Sequence, residues 1–271
     1  VLERENFPTD NYVVEGLLTL MNQGYEIRYF DNGENPLEKT VGGDTVVVLL
    51  SLVNYRTGQL NDIAAITSLA HRFNALIIWD FCHATGAVEI NVKECNVDFA
   101  VGCSYKYLNG GAGAPSFLYA NKRHHDRVSH GLTGWFGHAS PFEMNHTYIP
   151  AKGIDQFLTG TPNILPMVVI NSSIDIFLQT DMKIIREKSL QLGDLFIELL
   201  EQKCPSLRLI TPKMHEKRGS HISFSHDNGL NISKLLREHK IICDYRHPKI
   251  IRFSMTPLFL RFIEWKDCNG T

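Results

Sequence analysis

The fold is decided by the stretch Thr45-Val-Val-Val-Leu-Leu-Ser-Leu-Val53, a nearly continuous run of valine and leucine. Such a run predicts a strand that is covered on both faces, as strands of parallel sheets are. From Asn61 to Phe73, apolar side chains recur at helical spacing after an asparagine that can cap a helix. A second apolar run then extends from Ala75 to Asp80. Strand, helix and strand in this order predict a βαβ unit.

The remaining apolar runs extend the pattern in both directions. In the first half they predict further strands at 25–30, 98–103 and 116–120. Two longer stretches with helical periodicity follow at 164–180 and 182–203. After Pro205 the pattern changes to short strands and one helix, at 207–210, 221–225, 232–239, 241–244 and 250–254. We therefore predict an α/β fold with a mostly parallel sheet and flanking helices in residues 1–180, and a smaller α+β lobe in residues 181–271.

Composition narrows the classes of partner. The chain has 271 residues, and 27 Lys and Arg against 29 Asp and Glu give a net charge of -2, so we expect neither nucleic acid nor a membrane as a partner. Its six cysteines form no CxxC pair, which favours free thiols in a reducing compartment. No apolar run approaches the roughly 20 residues that span a bilayer. We expect a cytoplasmic protein that acts on a small molecule.

The segment Ala75-Leu-Ile-Ile-Trp-Asp80-Phe-Cys-His83 ends an apolar strand in an acid and an imidazole. Ligands of open α/β sheets bind at the carboxyl ends of strands, so Asp80 stands where a functional carboxylate is expected. Taken alone, Asp80 is equally well interpreted as the cap of the next helix, and His83 as a structural histidine.

A second strand, from Asp98, leads into Tyr105-Lys106-Tyr107 and the glycine-rich turn Gly110 to Gly113. A lysine held between two aromatic rings at a strand end is partly desolvated, which favours the neutral amine that imine formation requires. A lone lysine is more commonly a solvated surface charge. The glycines match neither GxxxxGK[ST] nor GxGxxG, so a nucleotide site is the weaker interpretation.

An acid and a lysine at two strand ends form the arrangement that a pyridoxal phosphate enzyme needs, with the carboxylate on the ring nitrogen and the lysine on the aldehyde carbon. Six segments in order along the chain resemble kynureninase: Phe7-Pro-Thr-Asp10-Asn-Tyr12, Asn54-Tyr-Arg-Thr-Gly-Gln59, Trp79-Asp80-Phe-Cys-His83, Cys103-Ser-Tyr105-Lys106-Tyr-Leu-Asn-Gly-Gly-Ala-Gly113, Gly134-Trp135-Phe-Gly-His138 and Arg252-Phe-Ser-Met-Thr-Pro-Leu258. This resemblance implies the aspartate-aminotransferase fold type and pyridoxal 5'-phosphate as the cofactor.

The resemblance also implies a role for each matching residue. Lys106 would bind the cofactor covalently, Asp80 would pair with the ring nitrogen, and Arg252 would hold the substrate α-carboxylate. Phe7 would stack on the ring beside Asp10, and Tyr105 would lie near the phosphate and relay a proton. The remaining cofactor-binding positions are Pro8, Thr9, Ser51, His83, Trp135, Thr161 and Asn163. Of these, the segments of Trp135, Thr161 and Asn163 would reach the active site of a second subunit in a homodimer with shared active sites. No metal site is expected.

The implied reaction is hydrolysis of the Cβ–Cγ bond of L-kynurenine or 3-hydroxykynurenine, in tryptophan catabolism and NAD biosynthesis. It yields anthranilate or 3-hydroxyanthranilate together with L-alanine. Two alternatives stay open: another enzyme of this fold type, such as a cysteine desulfurase or an aminotransferase, and an inactive homologue that serves as a binding partner. Family members carry a segment before the position of Phe7, including a loop for the cofactor phosphate, and this chain begins with Val1. We therefore expect it to lack an upstream segment.

Overall fold

The computed structural model describes residues 1–31 and 33–265, and its larger sheet confirms the α/β prediction. This sheet has six strands in the order β2-β1-β3-β4-β5-β6, parallel except for the antiparallel pair β5 and β6. Its elements are β1 (Leu2–Glu3), α1 (Pro8–Met21), β2 (Tyr29–Phe30), α2 (Leu37–Thr40), β3 (Val47–Ser51), α3 (Ile63–Arg72), β4 (Leu76–Asp80), β5 (Phe99–Cys103) and β6 (Ser116–Ala120).

The βαβ unit at the centre of this sheet forms as the sequence predicts. The side chains of Leu50, Ile77 and Trp79 lie on one face of β3 and β4 and are at most 1% exposed. The apolar side chains of the other face are only half-buried, so the predicted cover on both faces is incomplete. Asp62 caps α3 by accepting a hydrogen bond from the Ala65 amide. The sheet therefore has a rigid centre, and the carboxyl ends of its strands are held in fixed positions.

The second half of the chain forms a smaller antiparallel sheet in the order β7-β8-β10-β9. Two helices precede this sheet, α4 (Ile164–Phe177) and α5 (Met182–Lys203). The elements that follow are β7 (Arg208–Leu209), β8 (His221–Ser225), α6 (Gly229–Glu238), β9 (Asp244–Arg246) and β10 (Ile250–Ser254). Side chains of α5 and the sheet share one core, formed by Leu192, Phe196, Ile197, Ile222, Phe224 and Met255. The division at residues 180 and 181 stays a prediction, and residues 266–271 of the predicted lobe lie outside the described residues.

Direct contacts hold the small sheet against the carboxyl edge of the large one. The Thr211 hydroxyl donates to the Thr57 carbonyl at 2.6 Å, and a β-bridge joins Gln59 to Arg218. Gly58 has φ +74°, and a Cβ there would lie 2.6 Å from the His221 carbonyl oxygen. Only glycine fits such a close approach in the left-handed region. The start of β8 is thereby fixed beside the ends of β3 and β4.

Candidate active site

The end of β4 carries a buried carboxylate with a defined orientation. Asp80 is 5% exposed, and its Oδ1 accepts a hydrogen bond from the Cys82 amide at 2.7 Å. The Ser51 hydroxyl, opposite Asp80 in the register of β3 and β4, lies 3.1 Å from Asp80 Oδ2 and 2.6 Å from Asn6 Oδ1. Its single proton can serve only one of these two acceptors. The structure thus places the side chains of Ser51 and Asp80 next to each other at the ends of β3 and β4.

A second carboxyl group approaches from the first turn of α1. Asp10 accepts a hydrogen bond from the Asn6 amide group at 3.0 Å. Burial and the nearby negative charge of Asp80 raise the pKa of Asp10 to about 7, against the opposing effects of Asn6 and Lys106. The helix begins at Pro8, where a missing N–H has no cost, and Thr9 is exposed. Asp10 therefore holds its proton at pH values at which an ordinary aspartic acid has lost it.

Lys106 lies just beyond β5, among aromatic and imidazole rings. Its Nζ is 3.5 Å from His83 Nδ1, 5.4 Å from the centre of the Tyr105 ring and 5.9 Å from that of Phe7. Burial, reinforced by the charge of Lys106, lowers the pKa of His83 well below its ordinary value, so this imidazole is neutral. Burial also raises the pKa of the Tyr105 phenol. The amine therefore faces an uncharged acceptor.

The small sheet supplies the opposite wall of a cavity of about 500 Å³. Arg252, on β10 and 9% exposed, donates hydrogen bonds to the Tyr55 carbonyl and to Asp244, and it forms an ion pair with Asp244. Its Nε is buried without a hydrogen-bond partner. The cavity is lined by Phe7, His83, Tyr105, Lys106, Tyr107, Asn109, His221, Asp244, Arg246, Arg252, Ser254, Thr256 and Phe259. Lys106 and Arg252 thus share one cavity.

The sequence did not reveal His221, Asp244 or Arg246 as residues of this cavity. His221 is 2% exposed, and neither of its ring nitrogens has a hydrogen-bond partner. Burial lowers the pKa of its imidazole to about 3, with the charges of Arg252 and Lys106 acting in the same direction. The ring lies 5.6 Å from that of His83 between centroids. No motif marks these residues, because their proximity to Lys106 arises only from the packing of the two sheets.

Among the predicted residues that do not line this cavity, Trp135, Thr161 and Asn163 belong to segments far along the chain from the strand ends. Trp135 begins a 3-10 helix, is 38% exposed and lines a separate cleft with His138 and Tyr148. Thr161 and Asn163 are exposed just before α4. Their predicted contact with a second subunit stays a prediction.

Comparisons with known proteins identify the relatives of this chain. Residues 185–269 match the model of the kynureninase C-terminal domain. A kynureninase from Pseudomonas fluorescens is 46% identical over 269 residues, which are 98% of this chain and 64% of that protein. A kynureninase from Burkholderia mallei is 42% identical over 100% of this chain and 65% of its own length.

Solved structures share the fold at much lower identity. The cysteine desulfurase of Thermococcus onnurineus superimposes with a TM-score of 0.84 at 18% identity, covering 99% of this chain and 70% of its own. The cystine C-S lyase C-DES gives a TM-score of 0.85 at 17% identity, covering 98% and 72%. These likenesses establish fold type I of the pyridoxal-phosphate-dependent enzymes and say nothing of the reaction. The sequence comparisons do distinguish among proteins of this fold: along its whole length this chain is similar to kynureninases, and it spans 64–65% of their length.

Proposed function

We propose that this chain carries the pyridoxal-phosphate-dependent hydrolysis of the Cβ–Cγ bond of L-kynurenine or 3-hydroxykynurenine, giving anthranilate or 3-hydroxyanthranilate and L-alanine. The observation that supports this function is the shared cavity of Lys106 and Arg252, behind which Asp80 is buried at the end of β4. Among the reactions of this fold type, the identity of 42–46% to kynureninases favours this one.

The residues present fit the ring of the cofactor. Asp80 offers a buried carboxylate for a protonated ring nitrogen, and the Cys82 amide holds that carboxylate in place. Phe7 offers an aromatic face within 5.9 Å of the Lys106 amine. Pyridoxal phosphate, when bound, supplies an electron-accepting ring that stabilises negative charge on the substrate α-carbon. In our proposal Tyr105 lies near the phosphate.

Lys106 has two tasks in this proposal. Its amine would hold the cofactor covalently, and as a free amine it would serve as the base that takes the proton from the substrate α-carbon. His83 is neutral and 3.5 Å away, so it can accept a hydrogen bond from this amine and orient it. Lysine and histidine therefore act as one positioned unit.

Arg252 and Tyr105 are the remaining residues of the cavity with a role in the proposed reaction. A guanidinium binds a carboxylate through two parallel N–H groups, and the unpartnered Nε of Arg252 supplies one of them. Tyr105 is 51% exposed, so its phenol can exchange protons with solvent as it relays them during release of the products. Before the products leave, water adds to the substrate ketone and the Cβ–Cγ bond breaks; the water oxygen ends in the carboxyl group of anthranilate, and Cβ takes up a proton to become the methyl group of L-alanine.

We further propose a homodimer in which Trp135, Thr161 and Asn163 contact the partner's cavity. The support is α4, whose apolar side chains Ile164, Leu165, Val168 and Val169 are each more than half exposed. Apolar surface of this extent is typical of an interaction face. Sedimentation velocity would test the dimer, and Leu165→Glu together with Val168→Glu would dissociate it.

The decisive experiment combines cofactor mapping with turnover. The protein is loaded with pyridoxal phosphate, reduced with borohydride and digested, and we expect a pyridoxyl group on Lys106 that is absent from Lys106→Ala. Incubation with kynurenine is followed by anthranilate fluorescence. Absence of the pyridoxyl mark would refute any pyridoxal enzyme and favour the inactive homologue; a mark without anthranilate would favour another enzyme of the fold type.

A further inference from the structure

Two cysteines lie side by side at the sheet edge that carries the candidate site. The parallel register of β4 and β5 pairs Asp80 with Val101, and two residues beyond this pair lie Cys82, in the turn after β4, and Cys103, at the end of β5. Cys103 Sγ lies 3.7 Å from the Cys82 carbonyl oxygen, and the two thiols are close enough for each to shift the pKa of the other. Neighbouring strands lie about 4.8 Å apart. This spacing falls within the Cα separation of roughly 4.4–6.8 Å that a disulfide requires.

The two thiols differ in acidity in the way that an attacking and a resolving thiol do. The hydrogen bond from Cys82 and the positive charge of Lys106 lower the pKa of the Cys103 thiol to about 6, against the effect of burial. The same hydrogen bond, burial and the charge of Asp80 raise the pKa of the Cys82 thiol. Because a thiolate is the reactive form of cysteine, Cys103 is the nucleophile of the pair. Cys82 is partly exposed and admits small reagents.

We propose that Cys82 and Cys103 form a reversible disulfide on exposure to a peroxide, and that this cross-link suppresses uptake of the cofactor. The effect on cofactor uptake rests on the proposed function. The Cys103 thiolate attacks one oxygen of hydrogen peroxide, the O–O bond breaks, and the leaving hydroxide takes up a proton to become water. The Cys82 thiol then attacks the sulfenic sulfur, the S–S bond forms and a second water leaves. Two thiols are oxidised by two electrons, and one peroxide is reduced to two waters.

The cross-link acts on the cofactor site because of where its ends are attached. The Cys82 amide donates the 2.7 Å hydrogen bond to Asp80, and Cys103 precedes Lys106 by three residues on the same segment. A disulfide draws the sulfurs to about 2.05 Å, closer than any hydrogen-bonded contact. The bond therefore ties the turn whose Cys82 amide orients Asp80 to the segment that carries Lys106, so the carboxylate and the lysine can no longer adjust independently to the cofactor.

Peptide mapping tests the cross-link without any activity. Trypsin places Cys82 in peptide 73–93, but peptide 94–106 contains Cys95 as well as Cys103. The experiment therefore uses the Cys95→Ser variant, so that each peptide holds one thiol. The reduced protein is treated with equimolar hydrogen peroxide, free thiols are blocked with iodoacetamide, and the digest is analysed by mass spectrometry with and without dithiothreitol.

We expect the linked pair 73–93 and 94–106, abolished by dithiothreitol and absent from Cys82→Ala and from Cys103→Ser. Oxidised protein should take up at least fivefold less pyridoxal phosphate than reduced protein, measured as the pyridoxyl mark on Lys106. Both peptides carrying the iodoacetamide block after peroxide would overturn the proposal, as would a cross-link that leaves cofactor uptake unchanged. If reduced protein takes up no cofactor, the proposed function fails and the regulatory half fails with it, while the peptide result independently decides the disulfide.

Discussion

Lys106 and His83 meet across the ends of two adjacent strands, with the lysine Nζ 3.5 Å from the imidazole Nδ1. His83 is buried and neutral, and the neighbouring imidazole of His221 is buried and neutral as well. Two buried neutral imidazoles beside a lysine make this site sensitive to acid, because the unfolded chain binds protons that the folded chain rejects.

Acidification below about pH 6.5 should destabilise the protein through this pair. The folded pKa of His83 lies well below the unfolded value, and that of His221 is about 3, so between these values only the unfolded state is protonated. Neither imidazole changes the free energy of unfolding above about pH 6.5, where it is neutral in both states; below that pH each lowers it by up to about 1.4 kcal/mol per pH unit. Urea denaturation at pH 7.5, 6.5 and 5.5 measures this slope.

The double variant His83→Gln/His221→Gln should have a smaller slope than the parent over this range. The matched control is His239→Gln, because His239 is exposed at the end of α6. An unchanged slope in the double variant would contradict the assignment of this pH dependence to His83 and His221.

The raised pKa of Asp10 predicts the opposite dependence of stability on pH in the range from pH 4 to pH 7. Its folded pKa of about 7 exceeds the unfolded value of about 3.9, so the unfolded state loses a proton that the folded state keeps. This group therefore weakens the fold as pH rises across that range. The stability of Asp10→Asn relative to the parent should increase from pH 4 to pH 7. Exposed Asp175→Asn is the control, and a constant difference between Asp10→Asn and the parent would refute the raised pKa.

The centre of the fold could be predicted from sequence because its strands are long apolar runs, and Asp80 and Lys106 because each directly follows such a run. The short strands β1 and β2 were not predicted in their observed form, since each has two residues and pairs only through contacts distant in sequence. The strand predicted at 25–30 shrinks to Tyr29–Phe30, and that predicted at 241–244 is wrong, because the observed strand is Asp244–Arg246. The sequence did not predict helix α1, because an amphipathic helix is recognised by one apolar stripe that faces the core. In α1 the apolar side chains of Tyr12, Val13, Leu17 and Leu20 are exposed instead.

Asp98 should be the most costly single carboxylate to remove on the amino side of the sheet. It is 1% exposed, and its oxygens accept from the Ile77 amide and pair with His71, Arg123 and His124. Asp98→Asn removes the negative charge with which these partners pair, and we expect a loss on the order of 3 kcal/mol in the free energy of unfolding. Guanidinium denaturation measures it.

Asp227→Asn serves as the control for Asp98→Asn, since its ion pair with Lys249 is exposed and its removal should leave the denaturation midpoint unchanged. The lowered pKa of Asp98, about 2, adds a pH signature. Its contribution is complete above the unfolded value of about 3.9 and disappears as pH falls through 2. Equal midpoints for Asp98→Asn and the parent at pH 7 would show that the network carries no stability.

Arg252→Lys tests the part of the site that the proposed substrate would contact. The variant keeps the positive charge but loses the planar guanidinium, and with it a bidentate hold on an α-carboxylate. Loss of a charge-assisted hydrogen bond costs about 1.5–3 kcal/mol, so KM for kynurenine should rise roughly 10- to 100-fold while kcat changes little. Steady-state anthranilate production measures both constants, and Arg208→Lys on the exposed face of β7 controls for the substitution itself. A fall in kcat at unchanged KM would show that Arg252 acts on the chemical step instead of on carboxylate binding.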